Sequence, residues 1–262
     1  MAGPAEYEIY GVKFGENPNG RRGHYFSGPD GDPHDERMQL DYYVWLLRSD
    51  AEDIVVDVGF TAETNLRRGR DHWEDPSAAL GRLGVDVARV RHVILSHLHY
   101  DHCGDTEPFS GATFVLQDRE IAFWTGPYAR RGAFAPHIEA EDIARIRRLD
   151  EEGRVRRVDG RAEVADGVWV DRVGGHTPGM QVAQVRTALG IVVLASDSSH
   201  FFENFEGDKP FAVHADVVEM YRAFDSMREA ATSGLVIAGH DPAISERFPA
   251  VPGLEGRAVR IA

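Results

Sequence analysis

Apolar and polar positions along this chain fall into short stretches, separated by turns rich in glycine, proline and aspartate. Tyr7–Phe14, Tyr42–Arg48 and Ile54–Val58 are rich in β-branched and aromatic residues and are predicted as strands. Between the first two lies Gly15–Glu36, loaded with Gly, Pro, Asn and Asp, which reads as a long loop and a candidate lid or dimer contact. Asp75-Pro76-Ser77 supplies a helix start, continued through Ala78, Leu80 and Leu83 to Gly84. The apolar run Val93-Ile94-Leu95-Ser96 is a further short strand. Thr113–Leu116 is predicted as a strand and Asp118–Trp124 as a helix. Ile143, Ile146 and Leu149 recur at helical spacing, so Ala140–Leu149 reads as a helix closed by Gly153. Val168–Val173, Val182–Arg186 and Ile191–Ala195 then read as strands between glycine-rich turns. A helix over Val217–Ala231 and a strand over Leu235–Ala238 complete the pattern. Strands precede helices in both halves, which predicts two sheets flanked by helices in one α/β domain spanning residues 1–262.

Composition narrows the partners. The 262 residues are 42% hydrophobic, ordinary for a globular chain, and carry a net charge of −14. That acidity argues against nucleic acid and against an anionic membrane surface. Arg68, Arg70 and Arg145-Ile146-Arg147-Arg148 are the densest basic stretches, the last read as a solvated helix face. The one cysteine, Cys103, excludes an intramolecular disulfide and is read as a small buried residue. Met1–Glu6 has neither a positive n-region nor an apolar h-region, and no run is long enough to span a bilayer, so a cytoplasmic location is expected.

Chemistry concentrates in residues 97–102, His-Leu-His-Tyr-Asp-His. Four potential metal ligands in six positions are hard to explain as packing. His97, His99 and His102 offer borderline nitrogen donors and Asp101 a hard oxygen, a mixture that suits zinc or a similar divalent ion. Because Asp101 and His102 are adjacent, they point away from the place addressed by His97 and His99, and the spacing hints at two metal positions. Three further candidates share one address, the loop after a predicted strand: His176 in Gly174-Gly175-His176-Thr177-Pro178-Gly179, Asp197 after Ile191–Ala195, and His240 after Leu235–Ala238. Strand ends are rigid, so ligands placed there meet at little ordering cost. Seven groups are too many for one tetrahedral ion and about right for two. His24, His34, His72, His92, His137 and His214 are read as surface or packing residues.

These motifs resemble the metallo-β-lactamase superfamily, whose signature is His-x-His-x-Asp-His followed by a distant His, Asp and His. The resemblance runs from Ile54 to His240 and implies an αββα sandwich with two metals at one edge. It also implies that His97, His99 and His176 hold the first metal, Asp101, His102 and His240 the second, and that Asp197 bridges. The family's Asp-Thr-Gly is here Asp57-Val58-Gly59, with Asp57 expected as a structural acid.

Within the superfamily, Asp197-Ser198-Ser199-His200, Glu203-Asn204-Phe205-Glu206 and Gly239-His240-Asp241 are most similar to the N-acyl-homoserine lactonase group. That group carries a substrate-binding tyrosine three residues after the bridging aspartate. His200 stands there in this chain, and an imidazole N–H can donate to a developing oxyanion. Phe201, Phe202, Phe205 and Phe211, with Phe123, Trp124 and Phe134, are candidates to line an apolar acyl pocket. The resulting expectation is a dinuclear zinc hydrolase that opens lactone rings with metal-activated water, Asp101 passing the proton and His200 assisting, possessing a small-molecule lactone or ester as partner. A thioester or phosphodiester hydrolase and a metal-stabilised binding or sensing protein remain open, as does a homodimer.

Overall fold

The computed structural model of the protein describes residues 4–26 and 36–262. Part of the predicted 15–36 loop, and His34 with it, therefore lies outside the described residues. The strand at Leu40–Arg48 shows why the chain must be layered. Val44 and Leu46 are buried in one apolar cluster, while Trp45 and Leu47 are buried in another. Successive side chains of a strand point to opposite faces, so this sheet must be covered on both sides.

Eight strands form the first sheet: β1 (Glu8–Asn17), β2 (Leu40–Arg48), β3 (Asp53–Val56), β4 (Asp71–His72), β5 (His92–Ile94), β6 (Thr113–Gln117), β7 (Val155–Val158) and, from the chain's end, the strand Ala258–Arg260. The second sheet comprises β8 (Ala162–Ala165), β9 (Val168–Arg172), β10 (Gln181–Thr187), β11 (Gly190–Ser196) and β12 (Val236–Ala238). Each sheet is mixed. β1, β2 and β3 pair antiparallel, then β3, β5, β6 and β7 run parallel. β8 to β11 are antiparallel, and β12 adds to β11 in parallel.

Trp45, Ile54, Val56, Ile94 and Val115 of the first sheet pack with Val170, Val185, Val192 and Leu194 of the second in the core between the sheets. The outer faces are covered by helices. Ile143, Ile146 and Leu149 of the helix Ala140–Glu151 pack in the cluster holding Val93 and Phe114, and Met220, Phe224 and Met227 of the helix Val217–Ala230 pack with Val193 and Ala195. The order is helix, sheet, sheet, helix, as expected. No helix among the described residues is long and apolar enough to cross a membrane.

Two departures from the sequence reading matter for the site. The predicted strand Ile54–Val58 stops at Val56, because Asp57 takes a left-handed backbone (φ 61°) that ends the ladder and turns its carboxylate inward. The 97–102 cluster is not all loop. Tyr100–Cys103 forms a helical turn, which separates Asp101 and His102 from His97 and His99. Within the 15–36 segment, residues 15–17 complete β1 and Arg22–His24 form a 3₁₀ turn. The helices at Ala62–Arg68 and Ile244–Arg247 carry no strong apolar period and were not foreseen.

Glu120, on the helix Asp118–Trp124, ties together the loops that follow β5 and β9. Its Oε1 accepts from Leu98 N (3.0 Å) and Trp124 Nε1 (2.6 Å), and its Oε2 from Thr177 Oγ1 (2.7 Å) and Gly179 N (2.9 Å). Burial pushes its pKa up while these four donors stabilise the charge. Gly179 is required here, since any Cβ would collide with the Glu120 backbone. Glu120→Ala would leave four donors facing an apolar gap, and is expected to cost about 4 kcal/mol or more at roughly 1–3 kcal/mol per unsatisfied group. Urea unfolding of the variant measures this, and a loss below about 1 kcal/mol would rule the role out.

Candidate metal centre

The carboxyl ends of β3, β5, β11 and β12 lie at the same edge of the two sheets, the usual address of ligands in open α/β sheets. Gln181 of β10 joins the sheets there: its N–H donates to Ser96 O (3.0 Å) and its Nε2 to Leu95 O (2.7 Å). His97 follows β5, Asp197 follows β11 directly, His240 follows β12, and His176 follows β9 on a glycine turn. Gly175 in that turn has φ 85° and lies so close to the next helix that a Cβ would sit 2.7 Å from Met220 N. All seven residues of the predicted ligand set are brought together. Three overlapping groups could hold a metal ion: His97, His99, His176 and Asp197; Asp101, His102 and His240; and Asp197, His200 and His240.

The buried Asp197 carboxylate is the meeting point. Its Oδ1 lies 3.1 Å from His102 Nε2 and 2.9 Å from His240 Nε2. Its Oδ2 lies 3.3 Å from His176 Nε2, 3.7 Å from His97 Nε2 and 2.9 Å from His200 Nε2. His99 presents Nδ1 2.9 Å from His176 Nε2. Asp101 is set further back, its oxygens 3.8 Å from His102 Nε2 and 4.0 Å from His240 Nε2.

What lies behind the rings decides which nitrogen is bare. His240 Nδ1 is 2.7 Å from Asp41 O, and His176 Nδ1 is 2.6 Å from Val213 O. Carbonyl oxygens only accept, so both Nδ1 atoms carry the proton. His102 Nδ1 donates to Asp57 Oδ2 (2.8 Å). Ser96 Oγ gives its own proton to Asp57 Oδ2 (2.8 Å), so His97 Nδ1, 3.0 Å away, donates to it. Four histidines, each with its Nδ1 held by an acceptor, thus turn their Nε2 atoms toward one carboxylate. Lone pairs facing lone pairs in a buried site repel unless a cation lies between them.

Protons alone do not supply that charge evenly. Burial, joined by His102 and His99, holds His97 well below the ordinary histidine range, and burial with His176 and His137 does the same to His99. Burial also opposes charging His102, yet Asp197 and Asp57 raise it well above that range. Despite its own burial, Asp197 is held far down as a carboxylate by His200, His102 and His240. The Nε2 atoms of His97 and His102 are buried without a hydrogen-bond partner. Orphaned imidazole nitrogens around a persistent carboxylate, with their outer nitrogens fixed by acceptors, fit divalent cations.

A profile of the metallo-beta-lactamase superfamily matches residues 39–240. The chain belongs to that superfamily. The N-acyl homoserine lactonase of Bacillus cereus is 27% identical over 192 residues, 67% of this chain and 70% of that protein. That of Bacillus thuringiensis is 31% identical over 136 residues, 51% of this chain, and the match spans about half (48%) of that protein's length. A solved N-acyl homoserine lactone hydrolase, with the product N-hexanoyl-L-homoserine at its catalytic metal center, is similar in fold. It has a TM-score of 0.78 at 23% identity, over 95% of this chain and 99% of that one.

As a metallo-beta-lactamase fold, the chain departs from expectation mainly around its pocket. Of the seven aromatics expected to line it, only Phe211 does so among the described residues, stacked on His200 with ring centroids 3.3 Å apart. Phe201 is fully buried against Tyr25, and Phe202 packs in the core between the sheets. Trp124 backs His99, with ring centroids 5.4 Å apart. His137, read as a surface or packing residue, lines the pocket and lies 5.1 Å from the His99 ring. Tyr42, Arg70 and Tyr100 also line it, a role that the sequence reading gave to none of them. Cys103 is buried, its thiol donates to His99 O (3.4 Å), and it belongs to none of the three ligand groups among the described residues. Arg147 and Arg148 are exposed as expected, while Arg145 turns in to hold Gly104 O (3.0 Å).

Asp57 orients the site from below: Oδ1 accepts from Ser96 N (2.7 Å), and Oδ2 from His102 Nδ1 and Ser96 Oγ. Asn tolerates the same backbone but brings an amide where donors already point. Asp57→Asn is therefore expected to keep the far-UV spectrum and to lower metal affinity about 10–100-fold, read by titration against a chelating dye. Unchanged affinity would contradict the role.

Proposed function

We propose that the chain is a two-metal hydrolase that opens lactone rings, with N-acyl-homoserine lactones the leading substrate class. The observation that carries this reading is the set of imidazole Nε2 atoms converging on both oxygens of Asp197. The names of the relatives support the choice of substrate. His97, His99 and His176 would hold one ion, Asp101, His102 and His240 the other, and Asp197 would bridge. Zinc suits this mixture of imidazole and carboxylate donors. When bound, such a pair supplies Lewis acidity toward a carbonyl oxygen and lowers the pKa of water.

The chain's own residues position and move protons. Asp101 lines the pocket and stands further from the histidines than Asp197, so one of its carboxylate oxygens can take the proton that the attacking water gives up and pass it to the ring oxygen as the C–O bond breaks. Burial pulls His200 down to about 4, so it is neutral near pH 7 and carries one proton. With Nε2 beside Asp197 Oδ2, that N–H is the donor poised for the substrate carbonyl once Oδ2 is engaged elsewhere. Tyr42 and Tyr100, their hydroxyls 3.1 Å apart, wall the pocket beside Asp101.

Hydrolysis followed by pH-stat on protein of measured metal content, across lactones, thioesters and bis-aryl phosphates, tests the reading. Lactones are expected to react fastest. A faster thioester or phosphodiester would replace the substrate class, and two metals with no hydrolysis would favour a binding protein. Asp101→Asn is expected to keep the fold and lose about 100-fold or more in kcat. Turnover near wild type would remove Asp101 from the proton path.

A further inference from the structure

The pocket above the histidines is small, about 150 Å³, and its wall is more polar than an alkyl tail requires. Leu40, Phe211 and Val213 provide aliphatic and phenyl surface, but Arg70, Asn17 and His137 share the lining with them. Arg70 stands out by having no counter-ion among the described residues. Its two basic neighbours in sequence are both paired with one acid: Arg67 Nε lies 2.9 Å and Arg68 Nε 2.7 Å from Glu139. Arg70, half-buried, gives only its Nε to Tyr100 Oη at 3.4 Å, and among the described residues no carboxylate lies within ion-pair distance. Its backbone is fixed by Asn65 Oδ1 (2.9 Å), and Tyr100 is in turn held by Tyr42 and by the Arg68 guanidinium 4.2 Å over its ring. The acid whose field reaches it is Asp101, which the proposed centre already uses.

A guanidinium whose outer nitrogens bond to none of the described residues, on the wall of a pocket in a chain of net charge −14, is suited to receive an anion. An alkyl tail laid over it would strip its water and return nothing. A carboxylate would pair with it, fork to fork. We propose that Arg70 anchors a carboxylate at the distal end of the substrate, so that the preferred substrates are lactones whose acyl group ends in an acid. This rests on the lactone reading above and adds the tail that the pocket selects.

The test is a matched pair, N-glutaryl-homoserine lactone and the same lactone with its terminal acid converted to the primary amide. The corresponding lactams, which resist ring opening, serve for calorimetry on the same metal-loaded protein. The acid is expected to exceed the amide by roughly 10–100-fold in kcat/KM, through KM, and by a similar ratio in lactam affinity, as a charge-assisted hydrogen bond predicts. In Arg70→Gln both ratios should fall to about one, and Arg70→Lys should restore part of them. Equal treatment of acid and amide by the wild type, or ratios unchanged in Arg70→Gln, would overturn the proposal. An acid preference in lactam binding with no hydrolysis of either lactone would uphold the anchor and sink the lactonase reading.

Discussion

One buried carboxylate, Asp197, organises this structure. Four imidazoles turn their Nε2 atoms toward it because their other nitrogens are committed to Asp57, Ser96, Asp41 O and Val213 O. Such an arrangement is unfavourable in a low-dielectric interior unless positive charge sits among the groups. Divalent cations would supply it, and the two oxygens of Asp197 offer one to each side. The partners that fix the rings come from both sheets and from the loops between them. The centre therefore needs the whole edge of the sandwich in place.

The fold serves that need in a specific way. Parallel pairing of β3 with β5 and of β11 with β12 puts four strand ends at one edge, each delivering a short loop. Gln181 stitches the sheets beneath the site, and Glu120 clamps the loop of His97 to the loop of His176. Backbone exceptions sit where ligands or their supports must turn, at Asp57, Gly175 and Ser196. Strain at such points is tolerated because hydrogen bonds on every side fix the geometry.

Much of this was legible in the sequence. Continuous apolar runs such as residues 42–47 announce strands covered on both faces, and the ligands announce themselves by type and by position after those strands. Asp57 was readable as a supporting acid. The second layer of support was not, since Asp41 and Val213 act through backbone carbonyls that any residue possesses. Pocket walls were equally silent. Phe201 and Phe202 look like lining residues from their place in the loop beside the ligands, yet both are buried in the packing. Arg70 and His137 are placed by the long-range docking of loops, which leaves no local period. The helical turn at Tyr100–Cys103 is too short to show one.

The helical turn Tyr100–Cys103 serves both the pocket wall, through Tyr100, and the ligand set, through Asp101 and His102. Strand ends build the floor that the proposed cations would occupy, while Arg70 and Tyr100 build the wall that, on the proposal above, would read the substrate's tail. Anomalous diffraction from crystals of the metal-loaded protein, recorded on either side of the zinc edge, addresses the floor most directly. Two peaks are expected, one against each oxygen of the Asp197 carboxylate. A single peak, or peaks away from Asp197, would contradict the two-metal centre.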